Sequence, residues 1–422
     1  MLDPKFIREH AKEVKKNCER RNVAVDVDDF LALDEKRREL ITSVESLRAE
    51  RNVVANAMKT AKKDEREALI AKGKALKDEV ASKETALEES EVPWKTALMS
   101  FPNMTHPDVP VGKTDEDNVE IRIVGKVKKL KNPLDHVQIA KNLDLIDFER
   151  GAKVAGAKFY FLKGKLAILE QALIRFALDH LVREGFIPMT TPDLAKDEIL
   201  IGTGFNPRGN ETQTYSLENS DLSLIGTSEV ALGGYHAGEI LDEDALPIKY
   251  AGFSHCYRTE AGAYGRESYG LYRIHQFSKV EMFVLATPDQ SDALLESMQR
   301  TSEDIFAALG IPFRVVEICT GDFGNPHYRK YDIEAWMWGK GDGKGGWGEV
   351  TSASNCTDYQ ARRLNIRYKD NAGNNRIVHT LNNTALATSR AMIAILENYQ
   401  NEDGSVTVPE ILVPYCGFDR IG

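Results

Sequence analysis

Residues Ala251–Leu285 read AGFSHCYRTEAGAYGRESYGLYRIHQFSKVEMFVL, and the rest of the chain is best interpreted from this segment. Its composition predicts two strands joined by a long loop. Glycines at 262, 265 and 270 in that loop would let the backbone come close to a ligand. Because side chains alternate along a strand, charged groups should gather on one face of each strand. Those faces carry Cys256, Arg258 and Glu260 in the first strand and Arg273, His275, Phe277, Lys279 and Glu281 in the second. A plain sheet does not need this charge, so the hairpin is interpreted as a binding surface.

The composition is typical of a globular protein. The chain has 422 residues, 42% hydrophobic and 28% charged, which is enough for two or three domains. Its five cysteines are scattered and no two have metal-ligand spacing, which favours a reducing compartment and argues against a zinc cluster. The start of the chain lacks the pattern of a signal peptide, and no apolar run is long enough to cross a bilayer. These features predict a cytoplasmic protein with no membrane partner.

The charge balance bears on nucleic-acid binding. A net charge of −10 argues against binding over the whole surface, because phosphates require positive charge. The first hundred residues, however, are close to neutral and rich in Lys and Arg. The charge distribution therefore still allows a locally basic surface that binds nucleic acid in this part of the chain.

Apolar residues recur at heptad spacing in the N-terminal part. The first run contains Leu33, Leu40, Leu47 and Val54, with Phe30, Val44 and Met58 between them, and the second run contains Leu69, Leu76, Val80, Leu87 and Trp94. The polar segment 60–67 separates the runs and is predicted to be a turn. Together they predict an antiparallel helical hairpin at about residues 28–98, on the order of 45 Å long. A projecting arm, a dimerisation coiled coil and a bundle packed on the body all fit this periodicity.

A linker is predicted at Pro102–Gly112, where three prolines and a glycine disfavour helix. It divides the chain into an N-terminal domain, residues 1–110, and a second domain, residues 111–422. The second domain mixes strands and helices without a regular βαβ alternation. An α+β fold with a largely antiparallel sheet flanked by helices is therefore predicted.

An amphipathic helix and a C-terminal helix are predicted in the second domain. Lys165–Glu184 is strongly amphipathic and leads into a predicted strand that contains Pro192. Because proline has no backbone N–H to donate, Pro192 would fit only on an edge strand or at the end of a strand. Such a helix and edge strand, with apolar surface left over, are typical of a dimer interface. The last helix is predicted at Thr380–Gln400.

The nucleotide-binding motifs are weak. Gly341, Gly343 and Gly346 satisfy G-x-G-x-x-G, but the sequence then continues into a strand rather than a helix, so a hairpin turn is favoured. No P-loop motif is present. Phosphates, if bound, would have to be held by arginines and by carboxylates that bridge through a metal.

Further segments complete a recognisable pattern. They are Pro192, the triplet TSE at Thr227–Glu229, CYRTEAG and GLYRIHQFSKVEMF in the hairpin, TSASNCTDYQARR from Thr351, and LNNTALATSRAMIAILEN from Leu381. With the heptad runs, these segments resemble the seryl-tRNA synthetases of the bacterial type, class II aminoacyl-tRNA synthetases, over essentially the whole chain. The resemblance implies an N-terminal antiparallel coiled-coil arm that binds tRNA, followed by a class II catalytic domain.

The resemblance also implies a reaction and its cofactors. L-serine would be activated to seryl-adenylate with ATP and Mg²⁺, and then transferred to the 3′ end of tRNA(Ser). The catalytic arginines would be Arg258, on the α-phosphate, and Arg390, towards the γ-phosphate. Mg²⁺ would be held by Glu349 and Ser352, and Phe277 would stack under the adenine. The implied ATP-binding set is Arg258, Thr259, Glu260, Phe277, Glu349, Val350, Thr351, Ser352 and Arg390.

The serine pocket and the macromolecular partners follow in the same way. The implied serine-binding set is Thr227, Ser228, Glu229, Arg258, Glu281 and Thr384. Within it, Glu281 would pair with the substrate ammonium. Pro192, after the long amphipathic helix, resembles the first class II motif and so implies a homodimer. The arm would reach tRNA(Ser) through exposed Lys and Arg side chains that contact backbone phosphates. A second candidate substrate is tRNA(Sec).

Some residues depart from the family pattern or allow another interpretation. Asn383, Ala385 and Ser389 stand where the family usually has glycines, so side chains should partly fill this region. His275 is equally well interpreted as a hydrogen-bonded core residue, and Arg258 with Glu260 as a cross-strand ion pair. Two other functions fit parts of the sequence, a class II paralogue that activates a small amino acid for a carrier protein and a non-catalytic coiled-coil scaffold.

Overall fold

The structure, a computed structural model, describes residues 1–207, 213–261 and 270–422. These residues separate into two units, Met1–Met104 and Thr105–Gly422, and the change of unit falls inside the proline-rich segment 102–112. Gly262 and Gly265 of the predicted ligand-approaching loop lie outside the described residues.

Helices make up the regular structure of the N-terminal unit. They are α1 (Pro4–Glu9), α2 (Ala11–Arg20), α3 (Val27–Thr60) and α4 (Lys63–Ser100). The Asp26 side chain starts α3 by accepting from the backbone N–H groups of Asp28 and Asp29, at 2.9 and 3.0 Å. Only Ala61 and Lys62 lie between α3 and α4. The predicted turn at 60–67 is therefore too long, because its charged residues are good helix formers.

An apolar seam joins α3 to α4 along their length. Its buried residues include Val44, Val54, Leu76 and Val80. Ion pairs flank the seam, with 2.7 Å between Arg48 Nη2 and Glu84 Oε1 and 2.8 Å between Lys72 Nζ and Glu50 Oε1. The predicted antiparallel helical hairpin is confirmed.

The second unit contains helices and strands in mixed order. Its helices are α5 (His136–Asn142), α6 (Phe148–Ala155), α7 (Gly164–Arg183), α8 (Asp197–Thr203), α9 (Ser228–Tyr235), α10 (Ser291–Ala308), α11 (Tyr359–Leu364), α12 (Thr388–Asn398) and α13 (Val413–Cys416). In the part of the chain that the structure describes, no helix is both long and apolar enough to span a membrane.

Its strands contribute to one large sheet and several small ones. They are β1 (Val119–Val124), β2 (Ile146–Asp147), β3 (Phe161–Leu162), β4 (Ile187–Thr190), β5 (Leu194–Lys196), β6 (Leu222–Leu224), β7 (Ile240–Asp242), β8 (Ile248–Tyr257), β9 (Gln276–Ala286), β10 (Phe313–Glu317), β11 (Arg329–Met337), β12 (Gly346–Thr357), β13 (Arg367–Lys369), β14 (Asn375–Ile377), β15 (His379–Ala387), β16 (Val406–Thr407) and β17 (Arg420–Ile421).

The large sheet has the order β1-β10-β11-β12-β15-β9-β8-β4. Neighbouring strands run antiparallel except β4 and β8, which run parallel at one edge. Helix α10 packs against β15 and β12, whereas α7 and α12 contact each other and β9. The predicted α+β fold with a largely antiparallel sheet is confirmed.

Two further predictions about individual elements are wrong. The predicted last helix begins at Thr388 instead of Thr380, because the preceding residues form β15 and fill the ladder between β12 and β9. In the central hairpin β8 ends at Tyr257 and β9 begins at Gln276, so Arg258 and Glu260 follow the first strand and Arg273 and His275 precede the second. Glu260 has a left-handed backbone conformation, with φ of 49°.

Candidate active site

A cavity of about 310 Å³ opens over the middle of the large sheet. It is lined by every predicted site residue except Ser228 and Thr259. The Ser228 hydroxyl instead donates to Gly252 O at 3.1 Å, inside the core, and the Thr259 backbone N–H donates to Gln213 O at 3.0 Å. The lining residues that were predicted are Thr227, Glu229, Arg258, Glu260, Phe277, Glu281, Glu349, Val350, Thr351, Ser352, Thr384 and Arg390.

Strand pairing in the central hairpin explains why one face lines the cavity. Cys256 lies opposite Phe277, and Gly252 lies opposite Glu281. Alternation therefore places Phe277, Lys279 and Glu281 on one face of β9, as the sequence predicted. All three line the cavity.

Arg258 stands at the end of β8 with its backbone fixed by a histidine. Its N–H donates to His275 O at 3.0 Å, and His275 Nδ1 lies 2.9 Å from Arg258 O. The guanidinium donates to Gly226 O at 3.3 Å and lies 5.3 Å from the centre of the Phe277 ring. His275 thus supports Arg258 from behind, and Glu260 pairs with Arg273 at 3.3 Å rather than with Arg258.

Arg390 and Glu349 form a second charged group. Arg390 Nη1 donates to Glu349 O at 3.0 Å and lies 3.3 Å from Glu349 Oε1. Burial alone would raise the pKa of Glu349, but the cations Arg390, Lys330 and Arg258 outweigh it and lower that pKa to about 2. The carboxylate is therefore ionised at any physiological pH.

A β-bulge brings Glu349 and Ser352 onto the same side of β12. Along β11 and β12, Ile333 pairs with Thr351 and Glu334 with Glu349, which leaves Val350 as an extra residue. Without the bulge, a spacing of three would put the two side chains on opposite faces. The bulge thus presents a carboxylate and a hydroxyl to the same cavity, and such hard oxygen donors suit Mg²⁺.

The neighbouring strand carries another carboxyl group. Asp332 lies opposite Ser352 in the ladder and 3.1 Å from Lys330 Nζ. Burial raises the pKa of Asp332 to about 6. Within the described ranges, no group of three or more His, Cys, Asp or Glu side chains is arranged to hold a metal ion. A divalent ion here would need further oxygens from a bound phosphate.

The opposite end of the cavity is small, polar and buried. Lys279 Nζ lies 2.6 Å from Glu281 Oε2 and donates to Thr227 Oγ1 at 2.7 Å. The Thr384 hydroxyl donates to the same Glu281 oxygen at 3.0 Å. Period-two alternation predicted Lys279 on this face but gave no role for it. Its only signal was a lysine between two residues predicted to face a ligand.

Glu229 lies beneath this group, at the start of α9. Its Oε1 accepts from Gln360 Nε2 at 2.7 Å and from Asn382 Nδ2 at 3.0 Å. Burial, with the nearby charge of Glu281, raises the pKa of Glu229 to about 7. Its charge therefore depends on pH in the physiological range, and neither Gln360 nor Asn382 was predicted as a partner.

Two of the three residues that depart from the family pattern, Asn383 and Ala385, lie outside the pocket. Asn383 points to the other face of β15, where its Nδ2 donates to Met298 O and Ser302 Oγ, both at 2.8 Å. Ala385 is buried in the hydrophobic core. The expected filling of the pocket at these two positions is wrong, because the Asn383 side chain is bonded to α10 and Ala385 packs in the core. Ser389 does line the cavity.

Both parts of the chain match families of known proteins. Residues 1–105 match the family model of the seryl-tRNA synthetase N-terminal domain, and residues 214–399 match that of the tRNA synthetase class II core domain (G, H, P, S and T). A serine–tRNA ligase of Treponema denticola is 56% identical over the full length of both chains.

Two solved structures are similar over the whole chain. A seryl-tRNA synthetase of Pyrococcus horikoshii complexed with ATP has a TM-score of 0.93 at 43% identity, covering 100% of this chain and 99% of the other. A cytoplasmic serine–tRNA ligase of Naegleria fowleri in complex with AMP has a TM-score of 0.86 at 32% identity, covering 100% and 98%.

Proposed function

The chain belongs to the seryl-tRNA synthetase family, and on that premise we propose how its cavity carries out ATP-dependent serylation. The overall reaction is the activation of L-serine with ATP and the transfer of serine to tRNA(Ser). One observation supports the assignment best. A single cavity joins a cationic end, with Arg258 and Arg390, to a small polar end, with Glu281 and Thr384. The carrier-protein and scaffold alternatives have no support from the relatives.

At the cationic end, the arginines would hold the triphosphate. Arg258 is placed to neutralise the α-phosphate as the serine carboxylate attacks it and pyrophosphate leaves, and Arg390 takes the γ-phosphate end. Phe277 offers its ring to the adenine. The step is an in-line displacement in which positioning and charge stabilisation replace a covalent enzyme intermediate.

Mg²⁺ would be held by Glu349 and Ser352. When bound, the ion neutralises phosphate charge and orients the leaving pyrophosphate. Glu349 is suited to this role because its carboxylate is held ionised by Arg390, Lys330 and Arg258. Thr351 and Val350 line the cavity from the same strand, and Glu260, which also lines it, would help to hold the ATP.

At the polar end, Glu281 would pair with the serine ammonium, together with Thr227 and Glu229. Thr384 already donates to Glu281, so its hydroxyl can exchange that bond for one to the serine hydroxyl. A pocket built to bond a hydroxyl rejects alanine strongly, since polar groups would be left unpaired. We add Lys279 to the pocket, because it is bonded to both Thr227 and Glu281.

The N-terminal hairpin would bind tRNA. Its exposed Lys and Arg side chains suit backbone phosphates, whose recognition depends on shape rather than sequence. The same recognition would admit tRNA(Sec) as a second substrate. Deletion of residues 34–95 should leave serine activation intact and abolish tRNA charging, and unchanged charging would remove this role from the hairpin.

A homodimer and a cytoplasmic location complete the proposal. Edge strand β4 leaves Ile187 54% exposed, and α7 leaves Ile168 and Val182 about half exposed, so apolar surface remains for a second copy. Sedimentation of the wild type should give the mass of a dimer, and Ile187→Glu should shift it towards the monomer. All five cysteines are free and buried, which fits a reducing compartment.

The test of the whole proposal is serine-dependent exchange of pyrophosphate into ATP, followed by charging of tRNA(Ser). Exchange with serine and charging of tRNA(Ser) are expected together. No exchange with any small amino acid would overturn the proposal. Exchange without tRNA charging would favour the carrier-protein paralogue instead.

A further inference from the structure

A buried carboxylate outside the cavity joins three segments of the second unit. Glu397, on α12, has no exposed surface. Its Oε1 accepts from the backbone N–H of His136 at 2.9 Å and lies 2.8 Å from His136 Nδ1. Its Oε2 accepts from the backbone N–H of Gly339 at 2.9 Å, in the glycine-rich turn between β11 and β12. One side chain therefore fixes the start of α5 and the glycine-rich turn to α12.

The His136 ring extends this connection to the hairpin loop. Its Nδ1–H donates to Glu397, so Nε2 is left to accept, and it does so from the backbone N–H of Leu271 at 3.1 Å. The contact is close enough to exclude a side chain at Gly270. A Cβ there would lie 2.1 Å from His136 Nε2, and the φ of 71° also favours glycine. His136 thus holds the returning end of the loop at Gly270 and Leu271.

The residue that follows Leu271 borders the ATP end of the cavity. The Tyr272 ring lies 4.7 Å from Arg390 Cζ and 4.0 Å from Lys340 Nζ. Tyr272 lines both the active-site cavity and a neighbouring cavity of about 180 Å³ that His136, Lys340 and Glu397 also line. A shift of Leu271 would move this ring and with it the packing of Arg390.

We propose that His136, oriented by Glu397, is a positioning residue that holds Tyr272 against Arg390 and so sets the ATP end of the active site. His136 touches no reacting atom and acts through the Leu271 backbone. The inference rests on the proposed role of Arg390 in binding ATP. It also gives the glycine-rich turn a function, because Gly339 donates to Glu397 and Lys340 contacts the Tyr272 ring.

Two substitutions of His136 test its hydrogen bond to Glu397 and its hydrogen bond to Leu271 separately. His136→Gln places an amide at the reach of Nε2, so it can accept from Leu271 but loses the donor at the Nδ1 position. His136→Asn places an amide at the reach of Nδ1, so it keeps Glu397 and loses Leu271. The bond to Leu271 carries the proposed effect. His136→Asn should therefore raise KM for ATP in pyrophosphate exchange about tenfold, and His136→Gln about twofold or less.

The controls distinguish positioning from general damage. Lys141→Ala, at an exposed site on α5, should match the wild type, and KM for serine should stay within about twofold in both His136 variants. Equal KM for ATP in His136→Asn and His136→Gln, with equal Tm, would overturn the inference. Arg390→Ala is measured in parallel. An unchanged KM for ATP in Arg390→Ala would instead refute the role of Arg390 on which the inference rests.

Discussion

The two ends of the active-site cavity handle charge in opposite ways. At the ATP end, cations surround Glu349 and lower its pKa to about 2, so the carboxylate stays ionised. At the serine end, burial raises the pKa of Glu229 to about 7, and a buried lysine lies directly on Glu281. The first end is ready for a polyanion and a divalent cation. At the second end, the charges of Lys279 and Glu281 neutralise each other until a substrate ammonium group binds. This difference fits a large charged substrate on one side and a small zwitterion on the other.

Arg258→Ala should produce the largest effect, because it removes charge from the ATP end. We expect the rate of serine-dependent pyrophosphate exchange to fall by about 10³-fold, with loss of tRNA charging. Arg258→Lys keeps the charge but loses the planar fork, so it should recover only part of the rate. Activity of Arg258→Ala within tenfold of the wild type would place α-phosphate binding elsewhere.

Lys279→Met should remove the ion pair that neutralises Glu281 at the serine end. It leaves the buried Glu281 carboxylate without its cation, so the free energy of unfolding should fall by about 3 kcal/mol. Denaturant unfolding measures this loss. The double variant Lys279→Met with Glu281→Gln should recover most of the stability but not serine activation. If the double variant is no more stable than the single one, the two side chains are not coupled.

The pH dependence of serine binding should follow Glu229. Since its pKa is about 7, the ionised fraction falls about tenfold between pH 8 and pH 6, and KM for serine should rise by a similar factor. Glu229→Gln should remove this dependence, and Glu349→Gln should not. A flat profile in the wild type would exclude Glu229 as a partner of the ammonium.

The same group should affect stability with the opposite sign. The pKa of Glu229 is raised in the folded state above its ordinary value of 4.5, so stability is lost as pH rises from about 4.5 to about 7. Glu229→Gln should flatten this part of the stability profile, measured as Tm against pH.

Asn383→Gly should have the smallest effect on activity, although the resemblance implies a glycine at this position. Its side chain lies outside the pocket, bonded to Met298 O and Ser302 Oγ. Stability should fall by about 2 kcal/mol as these bonds are lost. KM for serine should change less than about twofold, as pyrophosphate exchange would show, and a larger change would mean that Asn383 shapes the pocket after all.

Period-two alternation could predict much of this site from sequence. It placed Phe277, Lys279 and Glu281 on one face, and the structure brings all three to the cavity. Heptad spacing likewise predicted α3 and α4, because a seam of buried residues at fixed intervals requires it. These patterns are local, and each follows from the repeat of a single element.

Contacts between distant segments could not be predicted in this way. Gln360 and Asn382 meet Glu229 only after α11, β15 and α9 pack together. The start of α12 was missed because the residues before Thr388 lie between two strands, and tertiary pairing overrides their local pattern. The hydrogen bond from Leu271 to His136 spans 135 positions in the sequence, and no short sequence motif predicts it.

The bulge at Val350 makes the length of β12 as important as its composition. Deleting Val350 would restore regular pairing with β11 and turn either Glu349 or Ser352 away from the cavity, although both residues would still be present in the sequence. A gap of one residue is thus more damaging here than most substitutions. Between Glu349 and Ser352 this strand therefore cannot gain or lose a residue without changing which side chains face the cavity.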